Sequence, residues 1–142
     1  PGVLDAFCRR TNQPCPATPG GYARAVCDSL ALKYRLVIRD LEALTSRPIE
    51  CIRVIGGGSQ NGLLNQLTAD ATGLPVVAGP TEATALGNIA VQMLATGAAG
   101  SLAEARAIID RSFPAKVFEP RDPEPWNREA PRFQQYCGLT HA

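Results

Sequence analysis

The stretch at 52–70, IRVIGGGSQNGLLNQLTAD, decides how the rest of the chain is read. A short β-branched run, ECIRVI over 50–55, stops at three successive glycines, and a leucine-rich segment follows at once. The first part, bounded by glycine, predicts a strand. In the second, Leu63, Leu64, Leu67 and Ala71 share one helical face, and Gly73 stands where a left-handed closing residue belongs. A strand that turns through glycines into a helix presents main-chain N–H groups at the positive end of a helix dipole. Such a turn suits a phosphate or the edge of a nucleotide. Glycine also lets a ligand touch bare backbone, and Asn61 adds an amide that can donate and accept. A second explanation stands beside this one: glycines occur where a helix packs tightly on its own strand, and Asn is an ordinary N-cap.

Working outward, LPVVAGP at 74–80 predicts a second short apolar strand, and 81–97 a further helix, opened by Thr81 with Glu82 and Thr84 near its start and ended at Gly97. Strand, helix, strand, helix implies a parallel pair joined by a right-handed crossover. Upstream, RTNQPCPATPGG at 10–21 predicts a loop. Tyr22, Val26, Leu30, Tyr34, Val37, Leu41 and Leu44 then recur at three- and four-residue steps, predicting a long amphipathic helix with Arg24, Asp28, Arg35 and Arg39 on its other face. Leu32 and Leu36 widen the stripe, so this helix is expected to be covered on more than one side. SLAEARAIIDRS at 101–112 carries a capping box, Ser101 with Glu104. Beyond it, PAKVFEPRDPEPW is proline-broken, and 128–139 predicts a last short helix. Five helices and two strands are an awkward count for a self-sufficient α/β domain, because a parallel sheet needs flanking strands and cover on both faces.

Composition bounds the function. The 142 residues are 45% hydrophobic and 19% charged with net charge +1, which fits one globular domain. Two lysines and scattered arginines give no basic face for nucleic acid, and no long apolar run predicts a membrane span. Five cysteines without a CxxC pair predict free thiols in a reducing cytoplasm. The single histidine, His141, leaves almost nothing for a zinc site or a Ser-His-Asp triad, so neither is expected. Asp70 and Glu82 are read as helix residues rather than metal ligands, Trp126 and Tyr136 as packing anchors, and Arg53 as an edge or cleft residue. Gly56-x-Gly58-x-x-Asn61 lacks the third glycine of a dinucleotide fingerprint, no acidic residue ends the second strand, and no G-K-[ST] follows the glycines.

The wording VIGGGSQNGLLNQLTADATGLPVVAGPTEATALGNIAVQMLATG resembles the C-terminal segment of the FGGY carbohydrate kinases. There a glycine run, an Asn, a Q-x-x-A-D helix, a strand and E-x-T-A-L-G occur in this order. AFCRRTNQP, DSLALKYR and the Asn88 after ALG add to the likeness, which covers roughly 7–120. The resemblance implies an α/β fold, an incomplete actin-like ATPase (ribonuclease H-like) domain with parallel strands and several packed helices. Residues 20–115 would be its core and 116–142 a tail. It implies ATP as phosphoryl donor, with Gly57 and Asn61 lining the adenosine side of the site and Gly56 and Gly58 shaping the same turn. It further implies that the Mg²⁺ carboxylates, the catalytic base and the sugar site lie in sequence outside these 142 residues. The chain, which opens at Pro1, is thus expected to be a C-terminal piece without kinase activity alone. It would contact ATP or ADP but neither nucleic acid nor membrane, and its uncovered sheet edge could pair two copies.

Overall fold

The computed structural model describes residues 2–138. In chain order it contains α1 (Gly2–Arg10), α2 (Pro19–Thr45), β1 (Ile52–Val54), a 3₁₀ turn (Gly56–Gln60), α3 (Gly62–Thr72), β2 (Val76–Ala78), α4 (Ala83–Ala95), α5 (Leu102–Ser112), β3 (Lys116–Phe118) and α6 (Glu124–Tyr136). The sheet order is β1-β2-β3. β1 and β2 are parallel, with Arg53 opposite Val77, as the strand–helix–strand pattern predicts. β3 is antiparallel to β2, with Val117 opposite Val77, so the sheet is mixed.

Local chemistry explains most boundaries. Thr18 caps α2 by accepting from the Gly21 N–H at 3.1 Å, with Pro19 in the first turn where its missing N–H costs nothing. α2 therefore begins inside the proline-rich stretch expected to be all loop, and α1 precedes it where no helix was expected. Asn61 caps α3, and Gly73 closes it at φ 73°. Ser101 caps α5 by accepting from the Glu104 N–H at 3.1 Å, while Glu104 Oε2 accepts from Gly100 N at 2.7 Å. The reciprocal bond thus falls one residue before the cap. Thr81 does not cap α4: Glu82 holds the N-cap position without a side-chain bond.

Burial corrects the faces. The predicted stripe of α2 points outward, with Leu30, Tyr34, Val37, Leu41 and Leu44 all exposed. The buried side carries Ala31, Leu32, Arg35 and Leu36, so Arg35 moves from the expected polar face to the interior. The reason is α3: alanines at 31 and 71, both fully buried, let the two helices approach closely, and Leu67, Cys27 and Trp126 pack around them. On α3 itself Leu63 is exposed and Leu67, Thr68, Ala69 and Ala71 are buried. A second cluster joins Ala69, Val76, Ala78 and Phe118 beneath the sheet, and a third joins Ala90, Ala99 and Ala105 between α4 and α5. The residues expected as a tail thus supply β3, Phe118 and Trp126 to the packed body.

Among the described residues, eight of the fourteen buried apolar ones are alanine, while fifteen large apolar side chains are exposed. The accessible surface is 9399 Å², against about 7,000 Å² for a compact chain of this mass. Among the described residues no helix is long and apolar enough to cross a membrane.

Candidate functional site

The glycine turn is held by bonds from four directions. Gly56 N donates to the Pro80 carbonyl at 3.1 Å and Gly79 N to the Val54 carbonyl at 2.8 Å, tying the ends of β1 and β2 together. Ser59 Oγ donates to the Gly56 carbonyl at 2.7 Å. Asn65, 2% exposed, donates from Nδ2 to the Ser59 carbonyl at 3.0 Å. Gln60 Nε2 reaches Thr81 Oγ1 at 3.1 Å, so Thr81 joins the two loops instead of starting a helix. The turn is therefore a braced piece of backbone between sheet and helix.

The three glycines are not equivalent. Gly56 has φ 75°, a left-handed conformation that disfavours any side chain. A Cβ on Gly58 would meet Val54 Cγ1 at 3.5 Å, an ordinary contact. Gly57 lies outside the positive-φ region, and a Cβ there would meet nothing within 4 Å. Packing of helix on strand, the second explanation for the run, accounts for nothing at Gly57. Asn61 Oδ1 accepts from the Leu64 N–H at 3.0 Å, which leaves its Nδ2 without a protein partner among the described residues. Gly57 and Asn61 are both exposed. A cavity of about 400 Å³ beside it is lined by Tyr34, Val54, Gly58, Leu64, Asn65 and Thr68. Gly58 thus faces this hollow, while Gly57 and Asn61 do not line it and are open to solvent.

The other residues read from sequence have placements of their own. Asp70 Oδ1 accepts from Gln66 Nε2 at 2.9 Å and from Arg121 N at 2.8 Å, a structural role. Arg53 is exposed on β1 and lines a cavity of about 350 Å³ with Arg106. Trp126 packs on the α2–α3 cluster, and the Tyr136 ring stands edge-on to Phe7 with centroids 5.8 Å apart. The cysteines described are all free thiols: Cys8 is buried and Cys15 exposed, and burial, then the neighbouring Cys15, pushes the Cys8 thiol up from its ordinary value. His141 lies outside the described residues. Asn65 was missed in the sequence; its signal was an amide one turn beyond Asn61, between Leu64 and Leu67 on the apolar side of α3.

Comparison with known proteins adds an independent line. The profile of the FGGY family of carbohydrate kinases, C-terminal domain, matches residues 3–96. A rhamnulokinase of Bacteroides thetaiotaomicron is 51% identical over 125 residues, covering 88% of this chain and 26% of that protein. A rhamnulokinase of Bacillus subtilis is 47% identical over 119 residues, covering 84% of this chain and 24% of its own length. The chain thus spans about a quarter of the length of the curated relatives it matches. Among solved structures, a xylulose kinase from Rhodospirillum rubrum superposes with TM-score 0.68 at 19% identity, covering 90% of this chain and 26% of that one. At that identity the likeness speaks for the fold, which is the one found in sugar kinases of the actin-like ATPase type.

Proposed function

This chain belongs to the FGGY family of carbohydrate kinases, and from that membership we propose that its glycine turn is the adenosine-facing wall of an ATP site. The enzyme would phosphorylate L-rhamnulose to L-rhamnulose 1-phosphate. The observation that carries the reading is Gly57: neither its dihedral angle nor any neighbour within 4 Å accounts for the missing side chain. A purine nucleoside resting on that spot would.

The wall binds and orients; it moves no proton. Gly57 supplies a flat stretch of main chain for van der Waals contact. Asn61 offers its free Nδ2 as a donor to an acceptor on ribose or base, while its oxygen stays committed to the helix cap. Gly56 sets the turn by its dihedral angle, Gly58 borders the adjoining hollow, and Asn65 fixes the Ser59 carbonyl behind the wall. A rigid wall spares the nucleotide the cost of ordering its own site. Mg²⁺ would neutralise charge on the transferring phosphoryl group. Its ligands, like the base and the sugar site, are assigned on the family resemblance to the rest of a full-length enzyme. On this reading the 142-residue chain alone phosphorylates nothing.

The sugar assignment rests on the 51% and 47% identity to rhamnulokinases. A chimaera tests both parts. Replacing the matching quarter of the Bacteroides thetaiotaomicron enzyme with this chain should preserve ATP-dependent phosphorylation of L-rhamnulose. Within the chimaera, Gly57→Val should raise KM for ATP by about tenfold or more, as expected when a side chain displaces a close contact worth at least 1.4 kcal/mol, with KM for the sugar unchanged. Unchanged KM for ATP refutes the wall, and a chimaera active on another ketose but not on L-rhamnulose refutes the substrate.

A further inference from the structure

We propose that Cys8 and Cys15 form a reversible dithiol–disulfide pair, closed by exchange with a small disulfide of the glutathione type and reopened by thiols. The proposal is independent of the nucleotide reading. The chain brings the two residues together by doubling back on α1. The helix ends in bonds to its own last turn, with Thr11 Oγ1 donating to the Phe7 carbonyl at 2.8 Å. Asn12 then takes a left-handed φ of 54° as the chain reverses. Gln13 N donates to the Cys8 carbonyl at 2.8 Å, and Cys15 Sγ donates to the Asp5 carbonyl at 3.8 Å. Residues three apart on an α-helix are neighbours, so a sulfur bonded to the Asp5 carbonyl lies beside the Cys8 side chain. The contact is felt chemically: burial, then the Cys15 thiol, raises the Cys8 thiol above its ordinary value. Pro14 and Pro16 flank Cys15 and restrict the backbone on both sides of it, which favours one course for the loop.

Unequal access sets the order of steps. Cys15 is exposed, whereas Cys8 is 8% exposed. The Cys15 thiolate attacks one sulfur of the small disulfide, forming a mixed disulfide and releasing the other half as a thiolate. Cys8 then loses its proton to that thiolate, its sulfur attacks the Cys15 sulfur, and the second half leaves as a thiolate. The pair has given up two protons and two electrons, and the small disulfide has been reduced to two thiols. The closed ring, residues 8–15, staples the end of α1 to the segment that leads into the Thr18 cap of α2. Asp5 already accepts from the Tyr22 hydroxyl of α2 at 2.6 Å, so oxidation adds a second tie between the two helices. Asp5, Cys8, Cys15 and Tyr22 all lie near the start of this chain, so the pair assembles without residues from the rest of a full-length enzyme.

The test is treatment of the 142-residue chain with oxidised glutathione, followed by thiol counting and tryptic mapping without reductant. The five thiols of the reduced chain should fall by two. Fragments 1–9 and 11–24, whose only cysteines are Cys8 and Cys15, should be recovered joined. Dithiothreitol should restore both thiols. C15S should leave buried Cys8 unmodified, whereas C8A should retain glutathione on Cys15. In concentrated urea, closure at the same glutathione ratio should weaken about tenfold or more, because the fold and not the short sequence separation holds the sulfurs together. The chimaera should close the same pair. A wild type that stops at glutathione on Cys15, another cysteine pair closing first, or equal closure in urea each overturns the proposal. A chimaera whose Cys15 resists glutathione overturns it equally, because the rest of the enzyme would then cover that sulfur.

Discussion

Gly56 and Gly57 are neighbours whose replacement by alanine should act in opposite directions. At Gly56 the φ of 75° puts a side chain in the left-handed region, which costs about 1–2 kcal/mol for an ordinary residue. The space itself is not the obstacle, since a Cβ would sit 3.8 Å from the Thr81 carbonyl oxygen. At Gly57 the dihedral is accessible to alanine and the space is open. Alanine there should stabilise by about 0.4–1 kcal/mol, because it narrows the unfolded ensemble and loses no native contact. The two variants should therefore differ by roughly 2 kcal/mol, or about 6–8 °C in Tm for a chain of this size. Urea unfolding reads the difference as midpoints displaced to opposite sides of the wild type at a common slope. In the chimaera, Gly57→Ala should combine raised stability with weakened ATP binding, the signature of a residue kept bare for a ligand. A Gly57→Ala variant less stable than wild type by 1 kcal/mol or so would refute the reasoning, because the turn would then need that glycine for itself. A neutral Gly56→Ala would refute the other half.

Two further outcomes follow from buried and half-buried polar groups. Arg35, 8% exposed, donates from Nη1 to the Ala71 carbonyl at 2.8 Å and from Nη2 to Asn127 Oδ1 at 2.6 Å, so one guanidinium ties α2 to the end of α3 and to α6. Arg35→Leu should cost about 2–3 kcal/mol in urea unfolding and shift the emission of Trp126, the single tryptophan, to the red as α6 loosens; unshifted emission would refute the tie. Tyr22 donates to Asp5 Oδ1 at 2.6 Å, and that bond, then burial, raises its phenol above the ordinary value near 10.0. The group loses its proton at a higher pH folded than unfolded. Its contribution is therefore complete below pH 10 and is lost as pH rises through the folded value. Difference absorbance should show one of the three tyrosines titrating late, and Tyr22→Phe should remove that step while leaving the others.

The sequence was most legible where structure is settled within a few residues. Asn61 before leucines, Gly73 and Ser101 each act through bonds to near neighbours, and each fell at its expected boundary, as did the glycines after a β-branched run. The bare turn at 56–58 was likewise nameable, and the resemblance singled out Gly57 and Asn61 for the role proposed above, although the separate reason for each glycine was not legible. Asn65 escaped notice because an amide inside a leucine-rich helix gains its meaning only from the Ser59 carbonyl brought against it. β3 escaped because a proline-flanked three-residue strand carries almost no periodic signal, and its pairing with Val76–Ala78 joins residues some forty positions apart.

What the sequence determined by itself is the central order of strand, helix, strand and helix, the caps at Asn61, Gly73 and Ser101, and the bare turn, since dihedral preference and first-turn hydrogen bonds are local. What only the tertiary structure decided is which side of each helix is inside. Periodicity marks α2 as having apolar faces, but choosing between them depends on how closely another helix can approach. The alanines at 31 and 71 permit that approach on one side and leave the larger side chains of the predicted stripe in solvent.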